Sequence, residues 1–171
     1  MMHKAPLIKI RHHPVVLSQD PYRIGSAVRG ELIHLAFSLL DHVSDRADVE
    51  RVVLQAFSLQ HVDRARWNIE EECCNPMVHA LSLPLVQPWF APGVVNLREV
   101  EVVDAQGELH RIDRLVIGKD VLAVIDFKVG KREAGHREQV ELYTRLVEAI
   151  FKRPTHGYLL YIDEPAVVAL P

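Results

Sequence analysis

Three runs rich in Val, Ile and Leu, at residues 97–103, 108–117 and 121–128, are separated by two breaks of hairpin length, Asp104-Ala105-Gln106-Gly107 and Gly118-Lys119-Asp120. Turn chemistry set between β-forming runs predicts three consecutive antiparallel strands. A helix follows at about 136–151, where Val140, Tyr143, Val147 and Ile150 recur at helical spacing, and Gly157 to Ile162 reads as a buried strand. Upstream, residues 26 to about 86 read as helical. Val49, Val52, Val53, Ala56 and Phe57 form the stripe of a core-facing helix, with Ser44 and Asp45 as candidate caps. Another helix is expected to begin at Asn75-Pro76 and to stop at Pro84, and the proline-rich stretch 87–95 forms the crossing between the halves. The order helices, meander, helix, strand predicts an α/β fold: a central mixed sheet, an antiparallel meander plus a later strand, flanked by helices.

With 171 residues, 49% of them hydrophobic, the chain has room for a core and is expected to be a single domain over residues 1–171, its sheet and following helix at about 96–162. Lys and Arg (20) against Asp and Glu (23) leave a net charge of −3, which excludes a protein that grips nucleic acid through bulk charge. Cys73 and Cys74 are adjacent and cannot supply the four thiolates of an iron–sulfur or structural zinc site. Reduced cysteines and the lack of an apolar run of about 18 residues lead to the expectation of a cytoplasmic protein with no membrane partner.

The chemistry concentrates in the meander. Asp126 and Lys128 stand two residues apart at the end of the apolar run Val121–Ile125, so both point to one face. Alone, such a pair reads as an edge salt bridge. By the same alternation Leu109, Arg111, Asp113, Leu115 and Ile117 share one face, which puts Asp113 among apolar neighbours, where a carboxylate needs a cation or several donors. Pairing residue 117 with 121 sets 112 opposite 126, and a modest register shift or bulge brings Asp113 and Asp126 together. Two converging carboxylates repel unless a divalent cation sits between them.

Asp113 followed by Asp126-Phe127-Lys128 resembles the split metal site of the PD-(D/E)xK nucleases, and within them the RecB/AddA-type nuclease domain of helicase–nucleases. Gly30-Glu31-Leu32-Ile33-His34 is similar to that branch's G-x-x-x-H helix motif, and Gln139-Val140-Glu141-Leu142-Tyr143 to its Q-x-x-x-Y motif, all in the family's order. The resemblance implies a restriction-endonuclease-like fold and hydrolysis of DNA phosphodiesters with Mg²⁺ or Mn²⁺. It implies His34, Asp113 and Asp126 as metal ligands, completed by the backbone carbonyl of Phe127. Lys128 is then the catalytic amine, and Gln139 and Tyr143 brace it or the substrate phosphate. The expected partners are single-stranded DNA and a helicase motor domain or subunit that delivers it. The sequence departs from the pattern where Leu109-His110-Arg111-Ile112 lacks the glycine usual before the first Asp, and where Val129 replaces a Thr.

Each outer motif also has a plainer reading: His34 as a core histidine, Gln139 as helix filler and Tyr143 as a core aromatic. Glu99 and Glu101 are expected on a solvated face, Cys73 and Cys74 as buried thiols, and Trp67, Trp89 and Phe90 in the core. His12 and His13 are assigned no catalytic part. The basic stretch Lys128 to Arg137 is either a phosphate-tracking loop or simply solvated. Two alternatives compete with the nuclease: a nuclease-like DNA-binding or assembly module that does not cut, and a non-haem iron site, which would want a second His in a comparable position.

Overall fold

The structure, a computed structural model, describes residues 8–10 and 24–170; His12 and His13 lie outside the described residues. A short strand β1 (Ile8–Ile10) precedes the helices α1 (Ile24–Leu39), α2 (Arg46–Leu59) and α3 (Asn75–Leu81). Strands β2 (Asn96–Val103), β3 (Leu109–Ile117) and β4 (Leu122–Lys128) follow, then α4 (Gly135–Phe151), β5 (Thr155–Tyr161) and β6 (Ala166–Leu170). The six strands form one sheet in chain order. All neighbours are antiparallel except β4 and β5, which run parallel because α4 carries the chain back across the sheet. This is the expected α/β fold with a mixed sheet flanked by helices. Strands β1 and β6 were not anticipated.

Local signals explain most boundaries. Asp45 caps α2, its carboxylate accepting the backbone N–H of Ala47 and Asp48, and Val49, Val52, Val53, Ala56 and Phe57 are all buried. Helix α3 does begin at Asn75, but Asn75 does not cap it. The chain is already wound as a wide helical turn over Glu70–Cys74, and the Asn75 amide donates instead to Glu71 Oε1 at 3.1 Å.

The helices sandwich the sheet. On one face α1, α2 and α3 bury Leu32, Ile33, Phe37, Phe57 and Met77 against Val116, Ile125, Phe127 and Leu160. On the other, α4 sets Val140, Tyr143 and Val147 against Leu115, Leu122, Val124 and Leu159. Cys73, Cys74, Trp89 and Phe90 are buried, and Trp67 packs edge-on to Phe57. Phe37 is the hub of the first layer, fully buried and stacked on Phe127 at 4.2 Å between ring centroids. Phe37→Ala is expected to destabilise the protein by about 3–5 kcal/mol, through lost transfer energy and the cavity left behind. Urea unfolding of the two proteins measures it.

Regular alternation fails at one place. Leu115 packs with α4, and so does Ile112, three residues away; Arg114 between them faces α1. Leu109 and Arg111 are exposed. The expectation that Leu109, Arg111, Asp113 and Leu115 share a face is therefore corrected, because β3 resets its alternation at Asp113.

Candidate functional site

The β3–β4 turn is one residue longer than the sequence register assumed. Ile117 pairs with Leu122 and Arg114 with Ile125, a count that brings Asp113 level with Asp126. The ladder stops there, and beyond it the two strands part. The Phe127 N–H, freed from the ladder, donates to Asp113 Oδ2 at 2.8 Å. Lys128 C=O accepts from Ile162 N–H on the β5 side, so the Phe127 peptide groups, carbonyl included, face the gap toward β3.

Helix α1 brings His34 to this gap. Its Nδ1 lies 3.5 Å from Asp113 Oδ2, and the side chain remains partly open to solvent at 29%. His34 is thus not a core histidine. Gly30 lies one turn earlier, and a Cβ there would meet no atom within 4 Å, so the helix surface beside His34 is open. The neighbour of Asp113 anchors this helix. Arg114 is fully buried, stacks on Phe90 at 4.0 Å, and donates to the carbonyls of Leu40 (2.8 Å) and Asp41 (2.6 Å) that end α1. Burial, with nearby Arg98, pulls its pKa down to about 9, which leaves it charged at neutral pH. The sequence signal for this anchor was an Arg inside an apolar strand, and it was overlooked.

Across the gap, Asp126 points to the α4 face. Its Oδ2 lies 2.7 Å from Lys128 Nζ. The approach is that of an ion pair without hydrogen-bond alignment, since the same buried oxygen has no hydrogen-bond partner. Lys128 Nζ donates to Gln139 Oε1 at 2.8 Å, and the Gln139 amide donates to Tyr143 Oη at 2.7 Å. The helical i, i+4 spacing of Gln139 and Tyr143 aims both at the end of β4. Asp113, Asp126, Lys128, Gln139, Tyr143, His34 and the Phe127 peptide therefore gather from four elements around one gap.

Proximity sets their charges. Burial and the Asp113 charge raise the Asp126 pKa to about 6, against the opposing pull of Lys128. Burial also penalises the Asp113 carboxylate, but His34 and the Phe127 N–H outweigh it and hold the pKa below the ordinary value. Burial disfavours the charged His34 ring, yet the attraction of Asp113, then of Asp126 and Glu99, raises its pKa overall. One carboxyl kept ionised beside one that resists ionisation marks a site short of positive charge. The Asp126 carboxylate, whose buried Oδ2 is balanced by Lys128 but takes no aligned hydrogen bond, a second carboxylate, an imidazole and a carbonyl facing the gap are a donor set that fits a divalent cation.

Among the described residues, the trio whose donor atoms all lie within 4.8 Å of one another is a different one, Asp104, Glu108 and His110 at the β2–β3 turn; His34, Asp113 and Asp126 are spread more widely. That trio could hold a metal ion, though Asp104 already accepts from the turn N–H groups of Gln106 and Glu108 and pairs with His110 Nε2 at 2.9 Å. Its sequence signal is the D-x-x-x-E-x-H spacing across the turn, which strand reading passed over.

Over 108 residues the chain is 35% identical to an ATP-dependent helicase/nuclease subunit of Moorella thermoacetica. That stretch is 60% of this chain and 7% of the larger protein, so the chain is related in part to a small region of a helicase/nuclease protein. No protein-family model matches the chain. Among solved structures, protein VC1899 from Vibrio cholerae aligns with a TM-score of 0.40 at 10% identity, covering 95% of this chain and 50% of that one. SSO0001 aligns with a TM-score of 0.29 at 15% identity, covering 81% and 64%.

Around the gap, the loop after β4 is exposed and basic. Arg132 lies over the Tyr161 ring at 4.7 Å, and Gly130, at φ 91°, donates to Asp163 Oδ2 at 2.6 Å. Asp163 also pairs with Arg29 of α1 at 2.5 Å, tying that helix to the loop. The expectation of a solvated face for Glu99 and Glu101 fails: Glu101 is buried at 4% exposure, and the Glu99 side chain is paired with Arg111 Nε at 3.0 Å. No helix among the described residues is long and apolar enough to cross a membrane.

Proposed function

We propose that the chain is a metal-dependent nuclease domain that hydrolyses DNA phosphodiester bonds and serves a DNA-repair helicase–nuclease in the cytoplasm, as its domain or partner. The observation that carries this reading is the unbroken run of contacts from His34 through Asp113 and Phe127, beside the Asp126–Lys128–Gln139–Tyr143 run, at the point where β3 and β4 separate. Identity to part of a helicase/nuclease protein supports it. In this reading residues 1–171 form one PD-(D/E)xK-type unit of restriction-endonuclease-like build.

His34, Asp113, Asp126 and the Phe127 carbonyl would hold Mg²⁺ or Mn²⁺, which when bound neutralises the scissile phosphate and acidifies water. Lys128, held between Asp126 and Gln139, orients the attacking water and offsets the charge that builds on the phosphate. Gln139 and Tyr143 fix the amine in that position. Lys131 and Arg132, exposed in the loop after β4, would track the phosphates of the substrate. Because the chain is net negative at −3, its own grip on DNA is expected to be weak and salt-sensitive, and a motor would deliver the single strand.

The test is cleavage of end-labelled single-stranded and duplex DNA by the purified chain in Mn²⁺, Mg²⁺ or EDTA, with calorimetric Mn²⁺ titration alongside. The expected result is cleavage with either metal, none in EDTA, and an Mn²⁺ affinity that climbs as pH rises through about 6, where Asp126 of the metal-free site ionises. Mn²⁺ binding at His34, Asp113 and Asp126 without cleavage would identify a non-cutting DNA-binding or assembly module instead. Absence of both binding and cleavage overturns the two readings together.

A further inference from the structure

Glu99 sits in the middle of β2 with φ at 51°. A residue with a Cβ rarely adopts this left-handed backbone, and inside a strand it persists only where the surroundings impose it. Its place is specific. Arg98 pairs with Arg114 and Val100 with Ile112, so Glu99 and Asp113 face each other across the one rung the β2–β3 ladder omits. At this rung both strands change the face they present: Leu97 and Val100, three residues apart, pack on the α4 side, as do Leu115 and Ile112. Asp113 is the residue that the reset leaves pointing to neither face. Its carboxylate runs sideways into the gap, where Oδ2 takes the Phe127 N–H at 2.8 Å and reaches His34 Nδ1 at 3.5 Å. In a regular strand side chains stand perpendicular to the sheet, and Asp113 would follow Leu115 onto the α4 face, away from both. Glu99 Oε2 holds Arg111 Nε at 3.0 Å, which ties the kinked residue to the strand it bends.

We infer that Glu99 is a positioning residue: its left-handed backbone, set opposite Asp113, turns the Asp113 carboxylate out of the sheet face and into the gap beside His34 and Phe127. The consequence for cleavage rests on the nuclease reading; the consequence for Asp113 does not.

The Phe127 amide reports on Asp113 without metal or substrate. Hydrogen exchange in EDTA, followed by NMR, compares Glu99→Gly, Glu99→Asn, Glu99→Ala and Glu99→Val, with Asp113→Ala as the reference for a lost acceptor and the Leu122 amide as the control for an intact sheet. Gly and Asn enter the left-handed region readily, Ala resists it and Val resists it most. Phe127 is expected to stay protected in the Gly and Asn variants and to exchange at least about tenfold faster in the Ala and Val variants, as in Asp113→Ala. Should Glu99→Val fail to fold, Glu99→Asn against Glu99→Ala gives the same contrast. Equal protection across the series, or loss in Glu99→Gly as large as in Glu99→Ala, overturns the inference. Cleavage in Mn²⁺ should follow the same ranking. A ranking seen in exchange, with no cleavage even by the unaltered chain, would sink the nuclease reading and leave the role of Glu99 standing.

Discussion

Lys128→Ala is expected to slow DNA cleavage about 10²- to 10³-fold while leaving Mn²⁺ affinity intact or tighter. The two effects separate because Lys128 has two jobs that oppose each other. Its ammonium lies 2.7 Å from Asp126 Oδ2 and is held on the other side by Gln139 Oε1 at 2.8 Å. As a fixed positive charge it favours the transition state, where the phosphate gains negative charge. As a partner of Asp126 it competes with a cation for the same oxygen, so its removal frees a ligand. Gln139→Ala should sit between the extremes, near a tenfold loss, because Asp126 still holds the amine when the amide is gone. Calorimetry with Mn²⁺ and single-turnover cleavage on the same folded protein decide it. Cleavage kept within tenfold would remove Lys128 from the chemistry, and joint loss of binding and cleavage would make it a structural residue.

Much of this geometry was legible in the chain, and the failures have physical causes. Strands 97–103, 108–117 and 121–128 match β2, β3 and β4 to within a residue, because their turns carry Gly and Asp where the backbone must reverse. The register was off by one, since β3 and β4 bury apolar side chains on both faces and their alternation therefore does not tell a turn ending at 121 from one ending at 122. That single step matters, because it is what sets Asp113 level with Asp126. The reset of β3 at Asp113 was invisible for a different reason. It depends on Glu99 in a neighbouring strand, a long-range condition that no local pattern records. Strand β6 is apolar throughout but only five residues long, too short to show a period, and its pairing with β5 is what defines it. Direction was easier to read on the helices than on the strands. His34, Gln139 and Tyr143 lie on helices with regular spacing, which fixes direction once the helix is placed.

Asp126→Asn is expected to make the protein more stable at pH 8 in EDTA even as it abolishes cleavage. Asp126 is buried at 3% exposure beside a second carboxylate, and its pKa stands at about 6 against an ordinary 3.8. A folded-state pKa raised above the unfolded one means that the fold prefers the protonated carboxyl. The stability this contributes is present below about pH 4 and is lost as pH rises toward 6, after which ionised Asp126 opposes folding by about 3 kcal/mol. His34, whose pKa is also raised, adds a loss in the same direction, complete only above its folded-state value; Asp113, whose pKa is lowered, acts the opposite way and gives up its contribution as pH falls below the ordinary carboxylate value. An amide in place of Asp126 removes the ionisation and forfeits the Lys128 pair, so the net gain at pH 8 should be about 1–3 kcal/mol. Urea unfolding from pH 4 to pH 8 should show the two proteins converging at the acid end and separating as pH rises. A variant less stable than the unaltered chain at pH 8 would mean that the Lys128 pair outweighs the burial of the charge, and Asp126 would then be an ordinary structural ion pair. The opposite result would show a carboxylate kept at a standing cost to the fold, as a residue retained for binding a cation should be.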